Sequence, residues 1–157
     1  MKKLLIAICL VTTLFISRSV FATDLTGSIA VGANVLSICT FTTTSYNLAF
    51  GDYNPSSNLD NDVSLKVTCT ADASYTIVLS NGGNYLGGTR RMSHSTYYLN
   101  YGLYTNALRT TSWPDIGNAE TGTGSEQSIP IYGRVPSAQG AGAGSGYSDS
   151  VAITITY

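Results

Sequence analysis

The sequence predicts an all-β protein, a single antiparallel β-sandwich, on three observations. No window of eleven or more residues sets apolar side chains at helical spacing. Short runs of five to eight residues alternate apolar and polar instead, and Gly, Asn, Asp, Ser and Pro bound them. The length, 157 residues, suits one domain with a sizeable core. Only 11% of residues are charged while 10% are aromatic, a balance that excludes a disordered chain. A net charge of −1 leaves no basic field for a polyanion, so nucleic acid is not an expected partner.

Residues 1–22 read as a secretory signal peptide. Met1-Lys2-Lys3 supplies a positive start, Leu4 to Ile16 is apolar apart from Thr12 and Thr13, and Val20-Phe21-Ala22 is a small-residue cleavage site. Thirteen helical residues cover about 20 Å, short of the roughly 30 Å hydrocarbon core, so a membrane anchor is disfavoured. Removing 22 of 157 residues leaves 135, and with them go three of the eight basic residues. Five then face nine acids, a net −4 for the exported chain.

Residues 23–35 form a segment apart. Leu25, Gly27, Ile29, Val31, Ala33 and Val35 make one edge, and Asp24, Thr26, Ser28, Ala30, Gly32 and Asn34 the other, as a strand with one apolar face requires. Only Leu36-Ser37-Ile38 separates it from Cys39, and none of these forms turns strongly. A strand folding back on its own domain needs a turn. The pattern therefore fits an extension seeking a sheet edge elsewhere.

The domain proper is expected over 36–157, with strands at Leu36–Phe41, Tyr46–Phe50, Val63–Thr70, Ser74–Ser80, Thr89–His94, 97–103, 129–135 and 151–157. This spacing matches an antiparallel sandwich of immunoglobulin-like size. Long turn-forming connections fall at 51–62, 81–88, 107–128 and 137–146. Of three cysteines, Cys9 leaves with the signal, so Cys39 and Cys69 have one possible disulfide. It would tie the first strand to the third.

Residues capable of chemistry are sparse. His94 is the single histidine, and Ser93 and Ser95 beside it point to opposite strand faces, so no nucleophile–base pair is expected. Asp52, Asn54, Asn58, Asp60, Asn61 and Asp62 are oxygen-rich but lack the ordered spacing and terminal Glu of a calcium loop, and turn formation accounts for them. Glu120 and Glu126 read as solvated loop carboxylates. Of Arg90 and Arg91, one should face solvent and the other an acid, and Trp113-Pro114 reads as a loop packed on the sandwich. No catalytic residue, metal or cofactor is expected.

Taken in succession, several motifs resemble the spore coat protein U domain family, which includes the pilin subunits of archaic chaperone–usher pili. They are Cys39, Leu48-Ala49-Phe50-Gly51-Asp52-Tyr53-Asn54-Pro55, Val67-Thr68-Cys69-Thr70, Arg91-Met92, Leu99-Asn100-Tyr101-Gly102-Leu103-Tyr104, Trp113, Ile131-Tyr132-Gly133-Arg134-Val135-Pro136 and Gly146-Tyr147-Ser148-Asp149-Ser150-Val151. One departure is Gly140-Ala141-Gly142-Ala143-Gly144, which lengthens a loop. The resemblance implies an incomplete immunoglobulin-like β-sandwich lacking one strand, completed by a donor strand from a neighbouring subunit. It implies a periplasmic chaperone and an outer-membrane usher as partners, and a cell-surface fimbrium built from copies of this chain or related pilins. Residues 23–35 are then the donor strand. Burying Leu25, Ile29, Val31 and Val35 at about 1.5–3 kcal/mol each would contribute about 6–12 kcal/mol before ordering costs.

Two functions of different class follow. One is a structural pilin polymerised by donor-strand exchange for adhesion and biofilm formation, or the same assembly used in a spore or cell coat. The other is a monomeric secreted β-sandwich, a carbohydrate-type binder or small hydrolase, in which residues 23–35 pair within their own domain and Trp113 or His94 lines a pocket.

Overall fold

The computed structural model describes residues 21–157; the expected signal peptide, 1–22, lies almost wholly outside them. Eight strands follow in chain order: β1 Cys39–Phe41, β2 Leu59–Cys69, β3 Ser74–Leu79, β4 Arg90–His94, β5 Tyr97–Tyr104, β6 Asn118–Thr121, β7 Glu126–Val135 and β8 Ile153–Thr156. They form a five-stranded antiparallel sheet in the order β1-β2-β7-β5-β4 and a three-stranded sheet in the order β6-β3-β8. No helix occurs among the described residues.

The core is set by the period of two. Leu65, Val67 and Cys69 on β2, Ile129, Ile131 and Val135 on β7, and Leu99, Tyr101 and Leu103 on β5 point from the larger sheet toward Tyr75, Ile77 and Leu79 of β3. Trp113, 3% exposed, joins them from the β5–β6 connection, its indole N–H donating to the Ile77 carbonyl at 3.3 Å. It fills the interior and presents no platform for a sugar.

Cys39 and Cys69 stand directly opposite each other in the β1–β2 register and are joined by a disulfide. The bond therefore lies within one sheet, stapling a three-residue strand to the end of an eleven-residue one.

Three elements differ from the sequence expectation. β2 begins at Leu59, inside the stretch read as a turn, because Asp60 pairs with Arg134 across the sheet and makes an acidic strand end favourable. β6 carries no apolar alternation; its half-buried positions are Asn118 and Glu120, which hydrogen-bond each other at 2.7 Å. Tyr46–Phe50 forms no strand, since nothing hydrogen-bonds to it as a ladder.

Asp60 accepts two N–H bonds from Arg134, at 2.7 and 2.8 Å, with Arg109 at 3.4 Å. The Arg134 hydrogen bond chiefly, helped by the charge of Arg109, holds its carboxyl below the usual carboxylate range. A lowered folded-state value gives stability that is complete above the unfolded value and fades as pH falls through the folded one. Asp60→Asn should thus lower Tm at neutral pH, with the gap to wild type closing as pH falls through and below the ordinary carboxylate range. Thermal melts across that range check it.

Candidate functional site

An edge strand offers one row of backbone groups to whatever lies beside it. β8 is such an edge, paired only with β3. The Ser80 N–H donates to the Ala152 carbonyl at 2.9 Å, and antiparallel alternation puts Thr154 and Thr156 in the same hydrogen-bonded class. The N–H and C=O of Ile153 and Ile155 accordingly face the open side. The inward side chains agree: Tyr75, Ile77 and Leu79 of β3 are buried, whereas Val151, Ile153 and Ile155 are only half-buried.

A second bank lies opposite. In Tyr46–Phe50 the residues Tyr46, Leu48 and Phe50 are half-buried while Asn47 and Ala49 are exposed, a strand-like alternation without a ladder. The Tyr46 hydroxyl accepts from the Lys66 N–H at 3.1 Å and lies 3.3 Å from the Lys66 carbonyl, to which it donates. The Asn61 amide donates to the Ala49 carbonyl. Phe50 and Leu48 rest on Gly133 of β7, where an added Cβ would lie 2.7 and 2.8 Å from their side chains. Gly133→Ala should therefore push this bank off the sheet at a cost of about 1–3 kcal/mol, read as a lower urea midpoint.

Between the banks runs a cleft of about 830 Å³, with Leu65, Leu99, Leu103 and Ile131 on its floor and Val151 and Ile153 along its side. Asn47, Asp52, Gln139, Ser145 and Ser148 add polar groups to the lining, and one polar pair reaches the floor. The Tyr101 hydroxyl donates to Asp149 at 2.6 Å, and the same carboxylate accepts from the Gly83 N–H at 2.8 Å. Burial first, then the Asp149 hydrogen bond, pushes the Tyr101 phenol far above its ordinary value, so it stays a neutral donor.

The residues singled out in the sequence fall as follows. Leu25, Ile29, Val31 and Val35 are 100%, 90%, 91% and 82% exposed, and residues 21–38 belong to no strand. Gly27 has no neighbouring atom within 4 Å of a built Cβ, and Ala33 is exposed. None of the six belongs to a strand. His94 stacks on Tyr147 at 5.3 Å, and neither it nor Trp113 lines the cleft. Arg90 donates to the Leu79 and Ser80 carbonyls, and Arg91 to the Asn84 carbonyl while lying 4.0 Å over the Tyr98 ring; carbonyls and a ring take the place of the expected acid. The missing strand implied by the resemblance calls for such a groove, but its lining residues escaped the sequence reading. Its signal was the period-two run Tyr46–Phe50, which reports the facing of side chains but not whether the backbone is paired.

Comparison with known proteins agrees with this geometry. Protein U of Myxococcus xanthus is 34% identical over 128 residues, covering 70% of this chain and 71% of that protein. Among solved structures, the CsuC–CsuE chaperone–tip adhesion subunit pre-assembly complex from archaic chaperone–usher Csu pili of Acinetobacter baumannii shares the fold with a TM-score of 0.57 at 21% identity. That match covers 78% of this chain, which spans 40% of the matched one. The Spore Coat Protein U domain profile matches residues 25–154, and the chain belongs to that family.

Proposed function

We propose that this chain is a structural pilin subunit, joined head to tail by donor-strand exchange, in which residues 23–35 of one copy fill the cleft of the next. The observation that carries this reading is the pair of open banks, β8 with one free edge and Tyr46–Phe50 with no ladder, flanking a cleft with an apolar floor. A strand laid between them would hydrogen-bond to β8 and cover Ile153 and Ile155, completing the smaller sheet. Seven residues of strand run about 23 Å, enough to follow Val151–Tyr157. Thirteen reach about 43 Å, which leaves the rest of 23–35 to bridge two domains. Such a contact is heterologous and does not close, so its product is a filament.

On this reading residues 1–22 are an export signal, 23–35 the donor extension and 36–157 the receiving domain. A periplasmic chaperone covers the cleft before assembly, an outer-membrane usher exchanges it for the extension, and the surface fibre serves adhesion and biofilm formation. A coat built from the same contact is the second reading, favoured by the family's description and by the likeness to Protein U.

Material sheared from producing cells and run on a denaturing gel without boiling should show a ladder of multiples that boiling collapses to monomer. A chain lacking 23–35 should give monomer in both lanes. A ladder that survives the deletion, or monomer from the full chain, overturns the proposal.

A further inference from the structure

We infer that the connection between β7 and β8 is the end stop of the cleft and sets the register of the strand inserted there. The inference rests on the donor-strand reading. After Pro136 the chain is fastened just past the end of the Tyr46–Phe50 bank and to β5: the Gln139 N–H donates to the Tyr53 hydroxyl at 3.0 Å, and the Gln139 side-chain amide pairs with both backbone groups of Asn100, at 2.7 and 3.0 Å. At its far end it is fastened beside the other bank. Ser148 exchanges backbone hydrogen bonds with Ser93 on β4, at 2.9 and 3.2 Å, and Asp149 holds Tyr101 just before β8 begins. Residues 140–147 therefore cross from bank to bank, and Ala141 to Gly146 line the cleft where they cross.

The crossing is held rigidly by close packing. A Cβ on Gly142 would sit 2.5 Å from the Tyr97 ring, and one on Gly144 would sit 2.5 Å from Nε2 of His94. Only glycine lets the backbone lie this near the two rings. The Tyr147 hydroxyl donates to the Gly142 carbonyl at 2.7 Å and locks the arch from within. The Gly-Ala repeat thus forms an end wall. A strand lying along β8 can advance only as far as that wall. Because a slip of one residue turns every side chain to the wrong face, a wall that fixes the end-point also fixes which donor positions face inward.

Disulfide mapping in polymers of the full chain tests this. Ile29→Cys is combined in turn with Val151→Cys, Ile153→Cys and Ile155→Cys, whose inward positions lie about 7 Å apart, while a disulfide needs Cβ atoms about 4 Å apart. One combination should dominate in the parent. Adding a second Gly-Ala pair after Ala143 slackens the arch, a change that surface loops tolerate well. The dominant cross-link should then move to the neighbouring β8 position or divide between two. Gly144→Ala, which presses the arch off His94 by one methyl group, should broaden the pattern in the same direction. The same single cross-link at undiminished yield in both variants overturns the end stop while leaving the donor-strand reading intact. No intermolecular link in the parent with any of the three partners overturns both.

Discussion

Ile29→Asp or Val31→Asp should abolish polymer while leaving the domain's own fold and disulfide untouched. Both side chains are about nine-tenths exposed, so the isolated chain loses no packing. In the proposed filament each would contribute about 1.5–3 kcal/mol of apolar burial, and an aspartate in its place must also shed its hydration, an effective penalty of several kcal/mol. A combined loss of about 5 kcal/mol weakens the contact more than a thousandfold. The unboiled gel should show monomer alone, with the far-ultraviolet spectrum of the chain unchanged. Thr26→Asp, on the opposite edge of the segment, should still polymerise. Equal loss in both variants would mean that the alternation at 23–35 is not what the contact reads.

The second large effect is expected from Cys39→Ser with Cys69→Ser. The bridge closes a loop of 30 residues. In the chain-entropy model that constraint is worth about 3.6 kcal/mol, a large share of the 5–15 kcal/mol that holds an ordinary domain. The structural consequence is local as well. β1 contributes three residues to the sheet, and apart from the bridge the strand end is held by short bonds such as those of Thr70 to the Leu36 carbonyl and the Ile38 N–H. Urea unfolding should show the midpoint falling by one to two molar for a slope of about 2 kcal/mol/M. A fall of less than about 0.5 M would show that the β1–β2 pairing persists without its staple.

How far the sequence announces this molecule depends on which residues carry the signal. Val63 to Thr70, Ser74 to Ser80 and 129–135 alternate strongly, and they are the central strands whose inward side chains are buried. β6 is silent because its inward positions are Asn118 and Glu120, polar residues that satisfy each other at the edge of the smaller sheet. Tyr46–Phe50 shows the opposite failure. Its alternation is genuine, yet a strand is defined by pairing, and the segment belongs to neither sheet. The resemblance implies a groove, but pattern alone could not show its lining, since it lies between two segments far apart in sequence. Asp60 illustrates a milder case, in which a residue typical of turns is drawn into a strand by an arginine 74 positions away.

The placement of the disulfide also decides how the molecule bears load. In the proposed filament a pull on residues 23–35 meets only the bonds of Leu36 and Ile38 to Thr70 before it reaches the covalent bond at Cys39. The bond passes the tension directly to the end of β2, and from there to the ten-residue register that β2 shares with β7. The short first strand is bypassed, and the force is distributed over the longest pairing in the protein. Under reducing conditions the same pull would peel β1 away one bond at a time, so the bridge acts as a mechanical coupling between the tether and the body of the sheet.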